Sequence, residues 1–219
     1  MYKLPVLLIL LGFASARFDL SSSDSGSCED SHEHSGGGGG GHNHNGCGHG
    51  WRRFNRHSGG WCMRVFSGEM SQADAESKCK SQGATLSGLK DESEIRSITA
   101  RALRIFSPKT SGSIWVGAKR TSECSTSPIS STCTPSNSFV WTDAVTTGTS
   151  GFLWNLLQPD NAHAKTQQCL VLLASSQSVV QDKWTWNANR LDDVACVSPG
   201  GSEQRIVRGY LCGKKAGRS

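Results

Sequence analysis

Cysteine content limits the possible folds of this chain more than any other feature. The 219-residue sequence contains nine cysteines, and residues 1–16 combine one lysine, an apolar run and the small residues Ala14-Ser15-Ala16. This pattern predicts a secretory signal peptide that is cleaved after Ala16. Because exported chains fold in an oxidising compartment, we expect a disulfide framework with one thiol left over. Eight cysteines can pair in roughly a hundred ways, so their spacing alone selects no pairing.

The length of the apolar run and the net charge limit the compartments and the binding partners that the sequence allows. The run Leu4–Phe13 is much shorter than the roughly 20 residues that cross a bilayer, so we predict no membrane span. The formal net charge is +5 at pH 7, and removal of Lys3 with the signal peptide lowers it by one. So mild a charge does not predict nucleic-acid binding. The chain is therefore expected to be secreted and extracellular.

Residues 17–46 are predicted to be a disordered tail rich in Ser, Gly and His. Between Ser21 and Gly50 the chain offers no residue that could seed a core, and Gly36–Gly41 is a run of six glycines. Such a segment cannot offset the entropy that ordering would cost. Cys28 lies alone in this tail, so we expect it to be the leftover thiol. It could link two chains into a disulfide-bonded dimer, pair with a small thiol, or pair within the tail.

Histidines in the same tail allow two interpretations. They form His-x-His pairs with acidic residues nearby, and neutral imidazoles are good ligands for zinc and copper. No fixed geometry would hold these ligands, however, so a polar spacer is the favoured interpretation. The residues concerned are His32, His34, His42, His44 and His49, with Asp30 and Glu33 beside them.

Two capping patterns predict two amphipathic helices near the start of the globular part. Each pattern is a capping side chain followed three positions later by an acid, at Ser71 and Asp74 and again at Asp91 and Glu94. Apolar residues then recur at spacings of three and four, which places them on one helical face. They are Ala75 and Cys79 in the first helix and Ile95, Ile98, Ala102 and Phe106 in the second.

Short apolar and aromatic segments after these helices predict β-strands. They are separated by loops rich in Ser, Thr, Asn and Gly, which is typical of strands in an antiparallel sheet. Helices followed by strands indicate an α+β domain with two helices packed against antiparallel sheets. The long polar connections between Gly148 and Cys196 predict a functional loop region. The predicted strands are centred on Ile114–Gly117, Phe139–Trp141, Leu170–Leu173, Trp184–Trp186 and Tyr210–Cys212.

The order of landmarks from residue 47 to residue 215 resembles the C-type lectin-like domain family. The individual motifs are weak, but they follow one another in the family's order over about 165 residues. The resemblance implies a disulfide-stapled C-type lectin-like fold for residues 47–215, with 216–219 as a C-terminal tail. The motifs are Trp61-Cys62, Gly83-Ala84-x-Leu86, Trp115-Val116-Gly117-Ala118, Phe139-x-Trp141-x-Asp143, Trp154, Gln158-Pro159-Asp160 and Gly209-Tyr210-Leu211-Cys212.

The resemblance also implies the disulfide pairing. Cys79 with Cys212 would join the first helix to the last strand, and Cys169 with Cys196 would close the long-loop region. An N-terminal hairpin typical of the long form of the domain would be stapled by a third pair. The remaining two cysteines would form a local bridge across a Ser/Thr-rich insertion. These last two bridges are Cys47–Cys62 and Cys124–Cys133.

Sugar-binding members of the family hold Ca²⁺ in the long-loop region, so the resemblance implies a candidate calcium site. A hard cation prefers carboxylate and amide oxygens, and the same groups can hydrogen-bond the sugar hydroxyls beside it. The Gln-Pro-Asp form of the family's loop triplet, built around a cis-proline, implies a galactose-type sugar. The candidate calcium ligands are Gln158, Asp160, Gln167, Asp192 and Asp193.

Two positions of this set depart from the family's pattern. Gln167 stands where sugar binders have Glu, and Leu191-Asp192-Asp193 stands where they have Trp-Asn-Asp. The number of carboxylates is kept, so the charge stays adequate for Ca²⁺ although its placement changes. In the alternative interpretation the calcium site has decayed and the Gln-Pro-Asp triplet persists only as a turn. In that alternative the two aspartates form an ordinary solvated turn. The predicted carbohydrate-binding residues are Gln158, Asp160, His163, Asp192 and Asp193, and Trp184 and Trp186 are either ring-stacking or core residues.

Two hypotheses for function follow from the sequence. The first is a Ca²⁺-dependent protein that binds galactose-type glycans or glycoproteins and acts in innate defence. The second is a calcium-independent lectin-like module that binds protein or matrix ligands through its loops. An enzyme is not predicted, because neither a Gly-x-Ser-x-Gly nor a His-Glu-x-x-His motif occurs.

Overall fold

The computed structural model describes residues 46–181, 183–197 and 202–217. The predicted signal peptide, nearly all of the predicted tail, Cys28 and every tail histidine except His49 lie outside these residues. The domain boundaries stay a prediction, but both ends of the described chain are tied to its body. The amide of Ala216 donates to the carbonyl of Gly60 at 2.9 Å, and that of Gly217 to the carbonyl of Gly46 at 2.7 Å.

Both predicted helices form where the capping patterns place them. Helix α1 spans Gln72–Lys80 and α2 spans Glu92–Phe106. The Ser71 hydroxyl accepts a hydrogen bond from the amide of Asp74, and the Asp91 carboxylate accepts one from the amide of Glu94. Every apolar residue predicted to share a helix face is buried. A short third segment, α3 (Ala162–Lys165), contains residues with left-handed backbone and is a compact loop turn rather than a regular helix.

The described residues form ten strands, and the main sheet is mixed rather than purely antiparallel. The path of hydrogen-bonded neighbours is β1-β2-β10-β4-β6-β9, with β3 beside β10 and β5 beside β4. All pairs along this path are antiparallel except β10 with β4, which is parallel. Strands β7 and β8 form a separate hairpin. The strands are β1 (Arg52–Arg56), β2 (Gly59–Ser67), β3 (Thr85–Leu86), β4 (Ser111–Arg120), β5 (Phe139–Trp141), β6 (Cys169–Ser175), β7 (Val179–Gln181), β8 (Trp184–Trp186), β9 (Leu191–Val194) and β10 (Val207–Lys215).

The main hydrophobic core lies between α2 and the centre of the sheet. Ile95 and Ile98 of α2 pack into one cluster with Ile114 of β4, Leu172 of β6 and Leu211 of β10, and all five are fully buried. Burying a side chain of this size contributes roughly 1.5–3 kcal/mol of hydrophobic free energy. The apolar face of α2 therefore packs directly against the centre of the sheet.

Four disulfides staple this framework. The bridge between Cys79 and Cys212 ties α1 to β10, and the bridge between Cys169 and Cys196 joins the start of β6 to the residues after β9. The others join Cys47 to Cys62 and Cys124 to Cys133. In the loop-entropy description the Cys79–Cys212 bridge, which closes 133 residues, stabilises the fold most, by about 4–5 kcal/mol.

The long-loop region connects β5 to β6 and β8 to β9. It contains the cis peptide bond between Gln158 and Pro159 that the family resemblance implies. Several non-glycine residues in this connection have positive φ, among them Leu157, Asn161 and His163. The loop backbone is consequently held by its own hydrogen bonds rather than by a regular element. No described helix has the length and apolar content that a membrane crossing requires.

Candidate functional site

A cleft of about 790 Å³ opens between the long loop, the β7–β8 hairpin and β9. This volume lies within the usual range of small-ligand sites. Most of the residues proposed from the sequence line it, including both candidate tryptophans. Those residues are Gln158, Asp160, His163, Gln167, Trp184, Trp186 and Asp192, and Arg205 joins them.

Asp192 and Asp193 have different surroundings because they are neighbours in strand β9. Asp192 pairs with Val171 and Asp193 with Leu170 in the β6–β9 ladder. Successive side chains of a strand point to opposite faces. Asp192 therefore lines the cleft, whereas Asp193 is fully buried and is not a lining residue. The alternative in which both form a solvated turn is wrong, because β9 is buried along its whole length.

Asp193 is committed to holding the loop. Its Oδ1 accepts from the amide of Asp160 at 3.0 Å, and its Oδ2 accepts from the amide of Asn161 at 2.9 Å. The same Oδ2 forms an ion pair with Arg120, whose side chain is as fully buried as that of Asp193. Burial raises the pKa of Asp193 to about 6, and the nearby Arg120 guanidinium opposes this rise. Both carboxylate oxygens of Asp193 thus already have partners.

Arg120 is itself fixed by several contacts. Its Nε donates to the carbonyl of Gln167 at 2.8 Å, and its guanidinium carbon lies 4.5 Å from the centre of the Phe139 ring. Arg120 ends β4, so the sheet presents this cation directly beneath the long loop. A buried guanidinium in this place neutralises the carboxylate that the family resemblance assigned to calcium.

Asp192 is paired with a second arginine. Arg205 donates to Oδ2 of Asp192, and the guanidinium carbon of Arg205 lies 3.4 Å from the centre of the Trp186 ring. Burial raises the pKa of Asp192 to about 7, and the charge of Arg205 opposes this rise. The other oxygen of Asp192, Oδ1, has no hydrogen-bond partner among the described residues. Only half of this carboxylate is therefore free for a ligand.

Gln158 and Asp160 mainly stabilise the loop that carries them. The amide of Asp160 donates to Oε1 of Gln158 at 3.0 Å, and the amide of Ala162 donates to Oδ1 of Asp160 at 3.0 Å. Asn161 anchors the same turn by donating to the carbonyls of Ser125 and Ser127. Asp160, which lines the cleft, thus keeps its second oxygen without a hydrogen bond from a described residue.

These contacts do not fit a calcium ion placed as in the family's sugar binders. Ca²⁺ usually takes six to eight oxygen ligands, with carboxylates supplying the compensating charge. Here Asp193 has no free oxygen, and Arg120 and Arg205 supply the positive charge instead. Within residues 46–181, 183–197 and 202–217, no group of three His, Cys, Asp or Glu side chains converges as a metal site would require.

Sequence reasoning missed Arg120, Asn161 and Arg205. None of them belongs to a motif, and Arg205 follows Asp192 by 13 positions. Only the register of β9 against β6 and the return of the chain into β10 bring them together. A count of buried carboxylates against nearby cations could have signalled that partners were needed, but it could not have identified them.

Solved structures with the same architecture are C-type lectin domains and related modules. The cow C-type carbohydrate-recognition domain of CD23 has a TM-score of 0.51 and 18% identity, over 78% of this chain and 98% of that one. Human lithostathine also has a TM-score of 0.51, with 13% identity over 78% of this chain and 92% of the other. The Ca²⁺-independent C-type lectin SPL-2 from Saxidomus purpuratus has a TM-score of 0.51 and 20% identity, over 78% of this chain and 95% of that one. At these identities the likeness establishes the C-type lectin-like fold.

A family model narrows the assignment. The model described as C-type lectin domain-containing protein 141/158 matches residues 52–215. The chain therefore belongs to this C-type lectin domain family. No curated protein is significantly similar to it in sequence.

Proposed function

We propose that this chain is a secreted lectin-like protein that binds glycans in the long-loop cleft without Ca²⁺. The observation that carries the proposal is the pairing of Asp192 with Arg205 and of Asp193 with Arg120. Two of the three carboxylates expected to hold calcium thereby have a cationic partner within the chain. The cation of the site is thus supplied by two arginine side chains.

Charge compensation is the physical reason why calcium is not required. A buried carboxylate without a partner is costly, and a bound divalent cation is one way to remove that cost. The two guanidinium groups reduce this cost within the folded chain. Arg120 also helps to hold the loop, because its partner Asp193 accepts from the backbone amides of Asp160 and Asn161. The loop conformation is consequently built into the fold instead of depending on an ion.

The shape and lining of the cleft support a glycan rather than a flat protein surface. Its volume of about 790 Å³ suits one or two sugar rings, and its lining includes the polar residues Asp160, Gln167 and Asp192. Trp184 is 51% exposed at its edge, which offers an aromatic face for the apolar side of a sugar. The calcium-independent lectin SPL-2 shares the fold, so the fold itself does not demand the ion.

The other functional hypotheses make different predictions for the same cleft. Galactose-type binding through Ca²⁺ would require the ion to displace Arg205 from Asp192. A module for protein or matrix ligands would leave the cleft unused and would bind through the outer loop surfaces. A non-enzymatic role is part of the proposal, and a role in innate defence stays a prediction.

Glycan-array binding of the secreted protein tests the proposal. The array is probed once with Ca²⁺ and once with excess chelator, and immobilised galactose and mannose columns repeat the measurement. We expect the same glycans to be retained with equal affinity under both conditions. Retention that disappears with chelator would establish the calcium-dependent hypothesis instead. Failure to retain any glycan, with binding to matrix protein, would establish the protein-binding hypothesis.

A further inference from the structure

We propose that the group held in this cleft is the protonated primary amine of an amino sugar, bound by Asp160, Gln167 and Asp192. This inference rests on the proposed glycan-binding function and specifies its ligand. It follows from three properties of the cleft: unpartnered buried acceptors, an uncompensated negative charge, and an exposed aromatic edge.

The first property is a pair of buried acceptors that lack a donor. Oε1 of Gln167 and Oδ1 of Asp192 have no hydrogen-bond partner within the part of the chain that the structure describes. Gln167 is 8% and Asp192 is 6% exposed, and both residues line the cleft. Buried acceptors normally have partners, so two unpartnered acceptors on residues that line one cleft favour a ligand that donates hydrogen bonds.

Asp160 supplies a third acceptor in the same cleft. Its Oδ1 accepts from the amide of Ala162, and its second oxygen accepts no hydrogen bond from a described residue. Asp160, Gln167 and Asp192, which all line the cleft, thus each carry an acceptor oxygen without a partner among the described residues.

The second property is the charge of the lining. Asp160 contributes one negative charge, whereas the charges of Asp192 and Arg205 compensate each other in their ion pair. Arg120 and Asp193 compensate each other behind this lining. One negative charge thus remains in a half-buried site. A hydroxyl group would leave this charge uncompensated, whereas an ammonium group would neutralise it.

An ammonium group also matches the hydrogen-bonding pattern. It carries three N–H donors and no acceptor, which suits the unpartnered oxygens of Asp160, Gln167 and Asp192. A sugar hydroxyl brings acceptor lone pairs as well as a donor, and Arg205, the arginine that lines the cleft within the described residues, is already paired with Asp192 and stacked on Trp186. A donor-only ligand therefore fits this cleft better than a neutral diol does.

The third property selects a sugar as the carrier of the amine. Trp184 lines the cleft with half of its side chain exposed, so a ring bound by its amine could rest its apolar face against the indole. The face of Trp186 is covered by Arg205 and is not available in the same way. A lysine side chain carries the same ammonium group but offers no such face to Trp184.

The test compares two oligosaccharides of equal length, one of glucosamine and one of N-acetylglucosamine, binding to the full-length secreted protein by calorimetry in chelator. Acetylation keeps the ring but removes the charge and two donors. At a pH where the amine is protonated, we expect the glucosamine oligomer to bind at least tenfold more tightly. Nα-acetyl-lysine amide is the third probe, and we expect it to bind at least tenfold more weakly than the glucosamine oligomer.

Two variants assign the effect to the cleft. Asp160→Asn should weaken binding of the glucosamine oligomer at least tenfold and leave binding of the acetylated oligomer unchanged. Gln167→Glu should strengthen binding of the glucosamine oligomer only. Glu123→Gln, which removes an exposed charge outside the cleft, is the matched control and should change neither.

Each contrary outcome has a distinct meaning. Equal binding of the two oligomers overturns the inference and leaves the calcium-independent glycan-binding function intact. Tight binding of the lysine probe overturns the assignment to an amino sugar. If neither these oligomers nor any arrayed glycan binds, the proposed function fails together with the inference.

Discussion

Arg205 and Asp192 form an ion pair on the wall of the long-loop cleft, with the guanidinium carbon of Arg205 3.4 Å from the centre of the Trp186 ring. The stacking restricts the arginine, so little additional entropy is lost when it bonds the carboxylate. Asp192, a predicted calcium ligand, therefore has the Arg205 guanidinium as its cationic partner.

Replacing Arg205 should destabilise the domain markedly. Arg205→Gln leaves the Asp192 carboxylate buried without its charge partner, which costs roughly 3 kcal/mol. Arg96→Gln is the matched control, because Arg96 pairs with Glu92 on the exposed surface of α2 and should cost about 0.5 kcal/mol or less. Chemical denaturation of both variants measures the difference. Equal unfolding free energies would show that the Arg205–Asp192 pair does not form in solution.

The fully buried pair of Arg120 and Asp193 should show strong coupling. Arg120→Gln and Asp193→Asn each break the pair and should each lower the unfolding free energy by about 3–5 kcal/mol. The double variant leaves no isolated charge, so it should be less destabilised than the sum of the single variants by at least about 1 kcal/mol. Denaturant unfolding of all four proteins completes the cycle. Additive losses would mean that the two side chains act independently.

Gly117 is predicted to tolerate no side chain. A Cβ at this position would lie 2.1 Å from the carbonyl oxygen of Leu86, which is backbone and cannot rotate away. Gly117→Ala should therefore lower the unfolding free energy by about 1–3 kcal/mol or more. At Gly48 a Cβ would meet nothing within 4 Å, so Gly48→Ala is the control and should be nearly neutral. Equal melting temperatures for the two variants would contradict the prediction.

Local sequence patterns predicted much of the fold because they report local physics. The caps at Ser71 and Asp91 and the spacing of Ile95, Ile98 and Ala102 are readable within one helix turn or two. The parallel pairing of β10 with β4 is not readable in this way, since it joins segments almost a hundred residues apart. The sequence predicts antiparallel pairing throughout. The direction of β10 beside β4 depends on how the chain returns through the centre of the sheet.

The sequence predicted most of the residues that line the candidate site but not the ion pairs they form. The family resemblance implied that Gln158, Asp160 and Gln167 lie at one site, because their order around the cis-proline and the loop cysteine is a local signal. All three line the cleft. The separation of Asp192 from Asp193 required the strand register, and the arginine partners required tertiary contacts. Carboxylate counting therefore overstated the charge that the cleft offers to a metal.

Glu94 should make stability depend on pH in a specific direction. Burial raises its pKa above the ordinary value of 4.5, and this outweighs the Lys90 amide and Arg56, which act in the opposite direction. The folded protein therefore retains a proton that the unfolded chain has already lost, so the contribution of Glu94 to stability falls as the pH rises above 4.5. Unfolding free energies of wild type and Glu94→Gln across this window are the measurement. The wild type should lose stability relative to the variant as the pH rises, and parallel profiles would contradict the prediction.

Trp184 should contribute to ligand binding and little to folding. Its side chain is half exposed, lines the cleft and belongs to neither hydrophobic core cluster. Trp184→Ala should leave the unfolding free energy within about 0.5 kcal/mol of wild type. Glycan affinity should fall roughly tenfold, or about 1.4 kcal/mol, because the aromatic face is lost.

Val180→Ala provides the control for Trp184→Ala. Val180 is 63% exposed on the same β7–β8 hairpin but does not line the cleft, so its removal should change neither stability nor affinity. Calorimetric titration of both variants with a glycan retained on the array separates the two positions. If Trp184→Ala binds as the wild type does, the ligand does not rest on this ring. If both variants lose affinity equally, the hairpin contributes through its conformation rather than through the indole face.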